Sequence, residues 1–251
     1  MGSKEIITGL VAFSVVFLGA ALMVVFAILR GKKTAARRAI PAIDRMRQAV
    51  GRLVEDGSRL HVSLGRGNLV TPQGASSLAG LALLERLSRL TSASDKPPIA
   101  TSGEPSLAFL SQDNLQKAAG KTGQAGMDQY AGRLTGLTPF SYAAGAIPAI
   151  HDEKVSATIL MGNFGMEGGL IAEAAERENS FSLAGSDNLT AQAVFQVTAR
   201  ETLLGEEMFA AGAYADPSPM QNASLVVQDI LRWLTILVIL GWSLLKVTGL
   251  L

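Results

Sequence analysis

The sequence predicts an α/β protein whose mainly parallel sheet domain is carried between two transmembrane helices. Three observations lead there. Apolar, β-prone runs alternate with alanine- and leucine-rich helical runs through the middle of the chain, and long apolar segments stand near both ends. The third is composition: of 251 residues, 48% are hydrophobic and 17% charged. An ordinary soluble domain carries about 25% charge. Cysteine is absent, which excludes disulfides, thiolate metal sites and a thiol nucleophile, and suits a reducing compartment.

Taken in order, residues 1–5 form a short external tail and residues 6–29 the first span. That span holds no charge and measures roughly 36 Å at about 1.5 Å per helical residue, enough to cross a bilayer. A cleaved signal peptide would place its charges before the apolar run; here Arg30, Lys32, Lys33, Arg37 and Arg38 follow it. These five cations read as residues at the cytoplasmic membrane surface. With only Lys4 ahead of the span, the positive-inside rule puts the N-terminus outside and the central domain in the cytoplasm. Residues 225–251 return the chain outward. In that second span Trp233 and Trp242 suit the interfaces, and Lys246 reaches the far headgroups. The expected location is the cell membrane, multi-pass, with both termini outside.

Residues 30–58 form a basic juxtamembrane helix. Ile40, Ile43, Met46, Val50, Leu53 and Val54 recur at helical spacing, opposite a face carrying Arg45, Arg47 and Arg52. Such a stripe suits packing on the next domain or lying on anionic lipid, and the pattern alone serves both. Residues 59–224 are the cytoplasmic α/β domain. "RLHVSL", "PPIAT", "KVSATILM" and "SFSLAG" read as strands, with "GASSLAGLALLERLSRL", "PSLAFLSQDNLQKAAG", "MEGGLIAEAAERE" and "LTAQAVFQVTARETLL" as the helices between and after them. The stretch Tyr130–Ile150 reads as a helix centred on Phe140–Ile147, and Ala93–Pro105 as a linker rich in Ser and Pro.

Charge divides along the chain. Arg30–Arg66 carries ten Lys/Arg against three Asp/Glu, and His151–Asp229 three against twelve, giving segments of +7 and −9. A basic block beside an apolar segment is a membrane-surface signal, and nucleic-acid binding would want aromatic residues among the cations, so no nucleic-acid partner is expected. The opposite charges can neutralise each other within one fold or join a basic face of one copy to an acidic face of the next, and a homo-oligomer is the expected outcome.

Five stretches carry a resemblance. "HVSLG" (His61–Gly65), "SLAGLALLERL" (Ser77–Leu87), "FSYAAG" (Phe140–Gly145), "GNFGMEGGLIAEA" (Gly162–Ala174) and above all "LLGEEMFAAGAYADPSP" (Leu203–Pro219) resemble a family of prokaryotic membrane proteins described as a domain of unknown function. The resemblance runs from about Arg45 to Asp229. It implies membrane attachment and a Rossmann-like domain, and it implies no established reaction.

The glycines at 162, 165, 168 and 169 match neither the dinucleotide pattern Gly-x-G-x-x-Gly nor a Walker loop, and Glu167 opens the following helix where an anion would sit. Tight strand-to-helix packing is the favoured reading. If a ligand pocket exists, the parallel sheet places it beyond the strand C-terminal ends, where Gly65, Arg66, Thr101, Ser102, Asn163, Ser186 and Asp187 would converge. His61 and His151 lack metal-ligand spacing, no Gly-x-Ser-x-Gly elbow occurs, and Met161, Met166 and Met208 read as core filler. No catalytic residue, metal site or cofactor is therefore expected. The expected function is a membrane-tethered cytoplasmic scaffold or assembly module, against the alternative of a Rossmann-like sensor or enzyme taking a small ligand or nucleotide at the strand ends.

Overall fold

The computed structural model describes residues 3–30, 39–91, 94, 96–122, 130–215 and 219–247. The chain divides into two compact units, Ala39–Ala215 and the pair Met1–Arg38 with Asp216–Leu251. In the second of these, helix α1 (Ser3–Arg30) packs against helix α9 (Pro219–Val247). Their apolar side chains are largely exposed, among them Phe13, Val16 and Phe17 on α1 and Trp233, Leu237 and Trp242 on α9. Asn222–Lys246 is long and apolar enough to cross a membrane, while the described apolar run in α1, Phe13–Ile28, is shorter. Among the described residues, then, one helix rather than the expected two meets that length and composition.

The larger unit is a six-stranded sheet in the order β3-β2-β1-β4-β5-β6, with every neighbouring pair parallel. Its elements follow one another as α2 (Pro41–Glu55), β1 (Arg59–Gly65), α3 (Gly74–Leu90), β2 (Ile99–Ser102), α4 (Pro105–Thr122), β3 (Gly132–Leu134), α5 (Pro139–Asp152), β4 (Val155–Asn163), α6 (Glu167–Arg177), β5 (Phe181–Gly185), α7 (Leu189–Thr198), β6 (Glu201–Leu203) and α8 (Glu207–Ala215). This is the doubly wound order, in which the chain starts at the centre, builds outward to β3, and crosses back through α5 to build the other half.

Parallel strands covered on both faces need apolar residues at successive positions, which is why β1 and β4 are buried nearly throughout. On one face Leu60, Val62 and Leu64 of β1 meet Ile43, Met46 and Leu53 of α2 and Leu83, Leu84 and Leu87 of α3. The helix α2 thus spends its apolar stripe on the domain core, which decides between the two uses its pattern allowed. On the other face Leu160, Phe164 and Ala184 pack with Tyr142 of α5, Ile171 of α6 and Phe195 of α7. There the Phe164 and Phe195 rings lie edge to face at 5.6 Å.

Glycines 168 and 169 serve packing, but chiefly of helix on helix rather than the strand-to-helix packing expected. A Cβ on Gly168 would stand 2.7 Å from the Phe195 ring, and one on Gly169 2.3 Å from Val194, so their bare backbone is what lets α6 seat against α7.

Two expected helices are corrected. The run from Leu189 ends at Thr198, and Glu201–Leu203 turns into the edge strand β6; the stretch from Tyr130 contains the opposite edge strand β3 before α5 begins. Both strands have three residues, too short for period-two alternation to show against a helical background. Helix α5 starts where Thr138 and Ser141 form a reciprocal capping box ahead of Pro139 at the first turn. Of the three methionines read as core filler, Met161 and Met208 are buried, but Met166 is 64% exposed.

Candidate functional site

The doubly wound order reverses between β1 and β4, and a ligand of such a sheet would lie beyond their C-terminal ends. Here those ends are zipped together. Gly65 pairs with Asn163 in the ladder, and the Arg66 N–H donates to the Asn163 carbonyl at 2.9 Å. Gly65 adopts φ +71°, and a Cβ on it would stand 2.2 Å from the Asn163 carbonyl oxygen. Only glycine permits both the turn and that approach.

Beside the α6 N-terminus, where an anion would sit, stands a buried carboxylate of the protein itself. Glu167, 3% exposed, folds its carboxylate back to accept from the Gly165 N–H at 3.0 Å and from Arg66 Nε at 3.2 Å. Arg66 also donates to the Leu137 carbonyl at 3.4 Å. Next to them Asn163 Nδ2 donates to Asp187 Oδ1 at 2.9 Å, and Ser186 Oγ accepts from the Phe164 N–H at 3.2 Å and the Asn188 N–H at 3.3 Å. Five of the seven residues expected at a strand-end pocket, Gly65, Arg66, Asn163, Ser186 and Asp187, are thus brought together, and they are bonded to one another or to neighbouring groups.

Thr101 and Ser102 are neighbours of that cluster, at the end of β2 beside β1, and the Gly103 N–H that follows them donates to the Gly65 carbonyl at 2.9 Å. Both are fully buried on β2, where Ser102 Oγ donates to the Glu104 carbonyl at 3.2 Å. Thr101 Oγ1 meets His61 Nε2 at 2.9 Å beneath the sheet surface. Of the cations expected at the membrane surface, Lys32, Lys33, Arg37 and Arg38 fall outside the described residues, and Arg30 ends α1.

Beneath the crevice lies a polar network that the sequence reading did not contain. Tyr142 is fully buried, its hydroxyl bonded to Ser63 Oγ and accepting from the Gly65 N–H at 3.1 Å. Burial pushes the Tyr142 phenol up to about 12, so it stays neutral, and its bonds to Ser63 and Gly65 oppose that shift. Burial, with the nearby Arg133 charge second, pushes His61 down to about 3, and its Nδ1 has no hydrogen-bond partner. His61 is therefore a neutral structural imidazole rather than an acid–base group near neutrality. The available signal was the alternation in "RLHVSLG", whose odd positions place Arg59, His61 and Ser63 on one face.

Two grooves open away from the strand ends. One, of about 260 Å³, lies between α5 and α6 beside His151 and Glu178; the other, of about 460 Å³, is framed by Val50 and Val54 of α2 with Leu87 and Leu90 of α3. The His151 ring bonds to Glu178 at 2.7 Å, and that carboxylate raises the His151 pKa.

A doubly wound, Rossmann-like domain with a membrane-length helix and strand ends closed by its own side chains defines the class. Within it, the chain belongs to the family described as domain of unknown function DUF6754, whose model matches residues 4–250. No curated protein matches the chain.

Proposed function

We propose that the protein is a membrane-tethered cytoplasmic scaffold or assembly module, held by two spans and forming a homo-oligomer side by side in the membrane. The observation that carries this reading is Glu167. A doubly wound sheet that binds an anion leaves its helix N-terminus open to it, whereas here the buried Glu167 carboxylate, bonded to the Gly165 N–H just ahead of α6 and to Arg66, sets like charge beside that terminus. The second span in this reading is α1, a 28-residue helix whose described apolar side chains are largely exposed. The cations that follow it set the N-terminus outside and the domain in the cytoplasm.

The division of charge along the sequence gives the oligomer little support. Arg45 with Glu201, Arg59 with Glu153 and Arg66 with Glu167 join the basic and acidic segments inside one chain. Support comes instead from the apolar groove between α2 and α3, which a second copy of the chain can cover. Light scattering on the protein in nanodiscs, with lipid and belt protein subtracted, tests it. A multiple of 26.3 kDa that Leu90→Asp reduces to the monomer is expected. A monomer at every concentration contradicts it.

The alternative, a sensor or enzyme taking a small ligand or nucleotide at the strand ends, draws on the strand order alone. It requires Glu167 to leave its donors when ligand arrives.

A further inference from the structure

Helix α2 carries an exposed stripe that its own fold does not explain. Arg47, Gly51 and Glu55 stand four residues apart on one side of the helix, and all three line the groove between α2 and α3. Glycine inside a helix lowers its stability relative to alanine. A Cβ on Gly51 would meet no described atom within 4 Å outside its own stretch of helix, so packing within the chain does not call for glycine there. A bare backbone on an exposed helix face is what lets a second helix come close.

The charges on either side of Gly51 point the same way. Glu55 is exposed and makes no side-chain hydrogen bond or ion pair among the described residues. Arg47, at the other end of the stripe, is held in place by donating to the carbonyls of Tyr214 and Ala215 at the end of α8. A guanidinium has five N–H donors, so it can take a carboxylate as well.

The order cation, glycine, anion is its own complement. Arg47 and Glu55 each lie about 6 Å from Gly51 along the helix axis, at about 1.5 Å per residue. Two copies of α2 laid antiparallel about a two-fold axis at Gly51 therefore set Arg47 of each copy opposite Glu55 of the other, with glycine against glycine at the crossing. Sliding the register by one turn loses both pairs, and a parallel arrangement sets like charges together. The same approach brings the half-buried Val54 and Leu90, 47% exposed, against the second copy. An anionic lipid surface is a poorer match, because it would meet Glu55 as like charge.

We propose that the protein pairs through α2, in an antiparallel two-fold contact centred on Gly51 that places Arg47 of each copy against Glu55 of the other. This deepens the homo-oligomer reading and rests on it. Attachment of both copies to one bilayer, as that reading has it, raises their effective concentration, so a contact of this size suffices.

The chain has no cysteine, so a single introduced thiol reports on its own surroundings. Gly51→Cys, in phosphatidylcholine nanodiscs under mild oxidation, is expected to link most chains into pairs, because residues on the axis come within disulfide reach. Val197→Cys, at a side chain 86% exposed on α7, is expected to stay unlinked. Sedimentation of the full chain in a non-ionic detergent is expected to show Glu55→Arg weakening the dimer at least about threefold at low salt, with the difference fading as salt screens the charges. Gly51→Leu is expected to weaken it at least about tenfold while the fold melts no lower, since leucine is the better helix former but blocks the close approach.

Equal linking of the two cysteine variants, or a dimer that Glu55→Arg and Gly51→Leu both leave intact, overturns the two-fold contact. If Leu90→Asp still gives the monomer in that case, copies meet at the groove in another arrangement and the homo-oligomer reading stands. A native chain that is monomeric at every concentration contradicts the reading and the contact together, and gives the groove to a different partner.

Discussion

The two edges of the sheet are closed by different means. At the strand-start edge Glu153 accepts from both Arg59 and Arg133, and the three side chains are 19%, 17% and 28% exposed, so the ion pairs form part of the closed surface. At the strand-end edge Arg66 bonds to Glu167 and Asn163 to Asp187, and the same edge carries Val70, Phe140, Met166 and Leu189, which face solvent. The start edge uses its polar groups as its exterior, and the end edge uses them as a frame. A frame that leaves large apolar side chains in water costs solubility for no gain in folding unless something covers them.

The sharpest way to break that contrast is to remove the support under the frame. Phe195 meets Phe164, which leads from β4 into α6, edge to face, and Phe195→Ala should cost about 3–5 kcal/mol in thermal or denaturant unfolding. Amide exchange should then rise at Gly165 and Phe164 before it rises at Arg59. At the start edge, Glu153→Ala leaves two part-buried guanidinium groups without their carboxylate, and a loss of about 3 kcal/mol is expected, with the end-edge amides unaffected.

A smaller effect is tied to pH. The His61 pKa is about 3 in the fold and that of an unfolded histidine about 6.5, so between those values the unfolded chain binds more protons and stability falls as pH falls. At pH 5 the loss from this group is about 2 kcal/mol. Comparing the slope of stability against pH for the native chain and His61→Gln between pH 7 and about 5 isolates it, and equal slopes would remove His61 from the account. The smallest effect is at the exposed edge itself. Phe140→Ser should change stability by less than about 0.5 kcal/mol, because a side chain already in water contributes little to folding.

The central strands and the helices beside them were legible because each is long and strongly patterned: β1 and β4 run through seven and nine residues, buried nearly throughout. The edge strands were not, because three residues such as Gly132–Leu134 carry no period and need β2 to define them. At the strand ends, turns rich in Gly, Ser, Asn and Asp pointed to one edge of the sheet, and five of the residues named there do meet. What spacing could not reveal is that they bond to each other, since the meeting of Arg66 with Glu167, 101 positions away, is set by the β1–β4 ladder. Met166 misled because helical periodicity cannot say whether a residue just before a helix points inward or out.

The central claim is that groups at the strand ends are bonded to one another, as Arg66 is to Glu167 and Asn163 to Asp187, and leave no seat there for a small anionic ligand. Thermal unfolding of the native chain with ATP, GTP, NAD and inorganic phosphate, each titrated toward saturation, tests this most directly. The account predicts no saturable rise in Tm with any of them. A saturable rise that Asn163→Ala and Asp187→Ala abolish would contradict it, and would show that Glu167 gives up its place to a ligand.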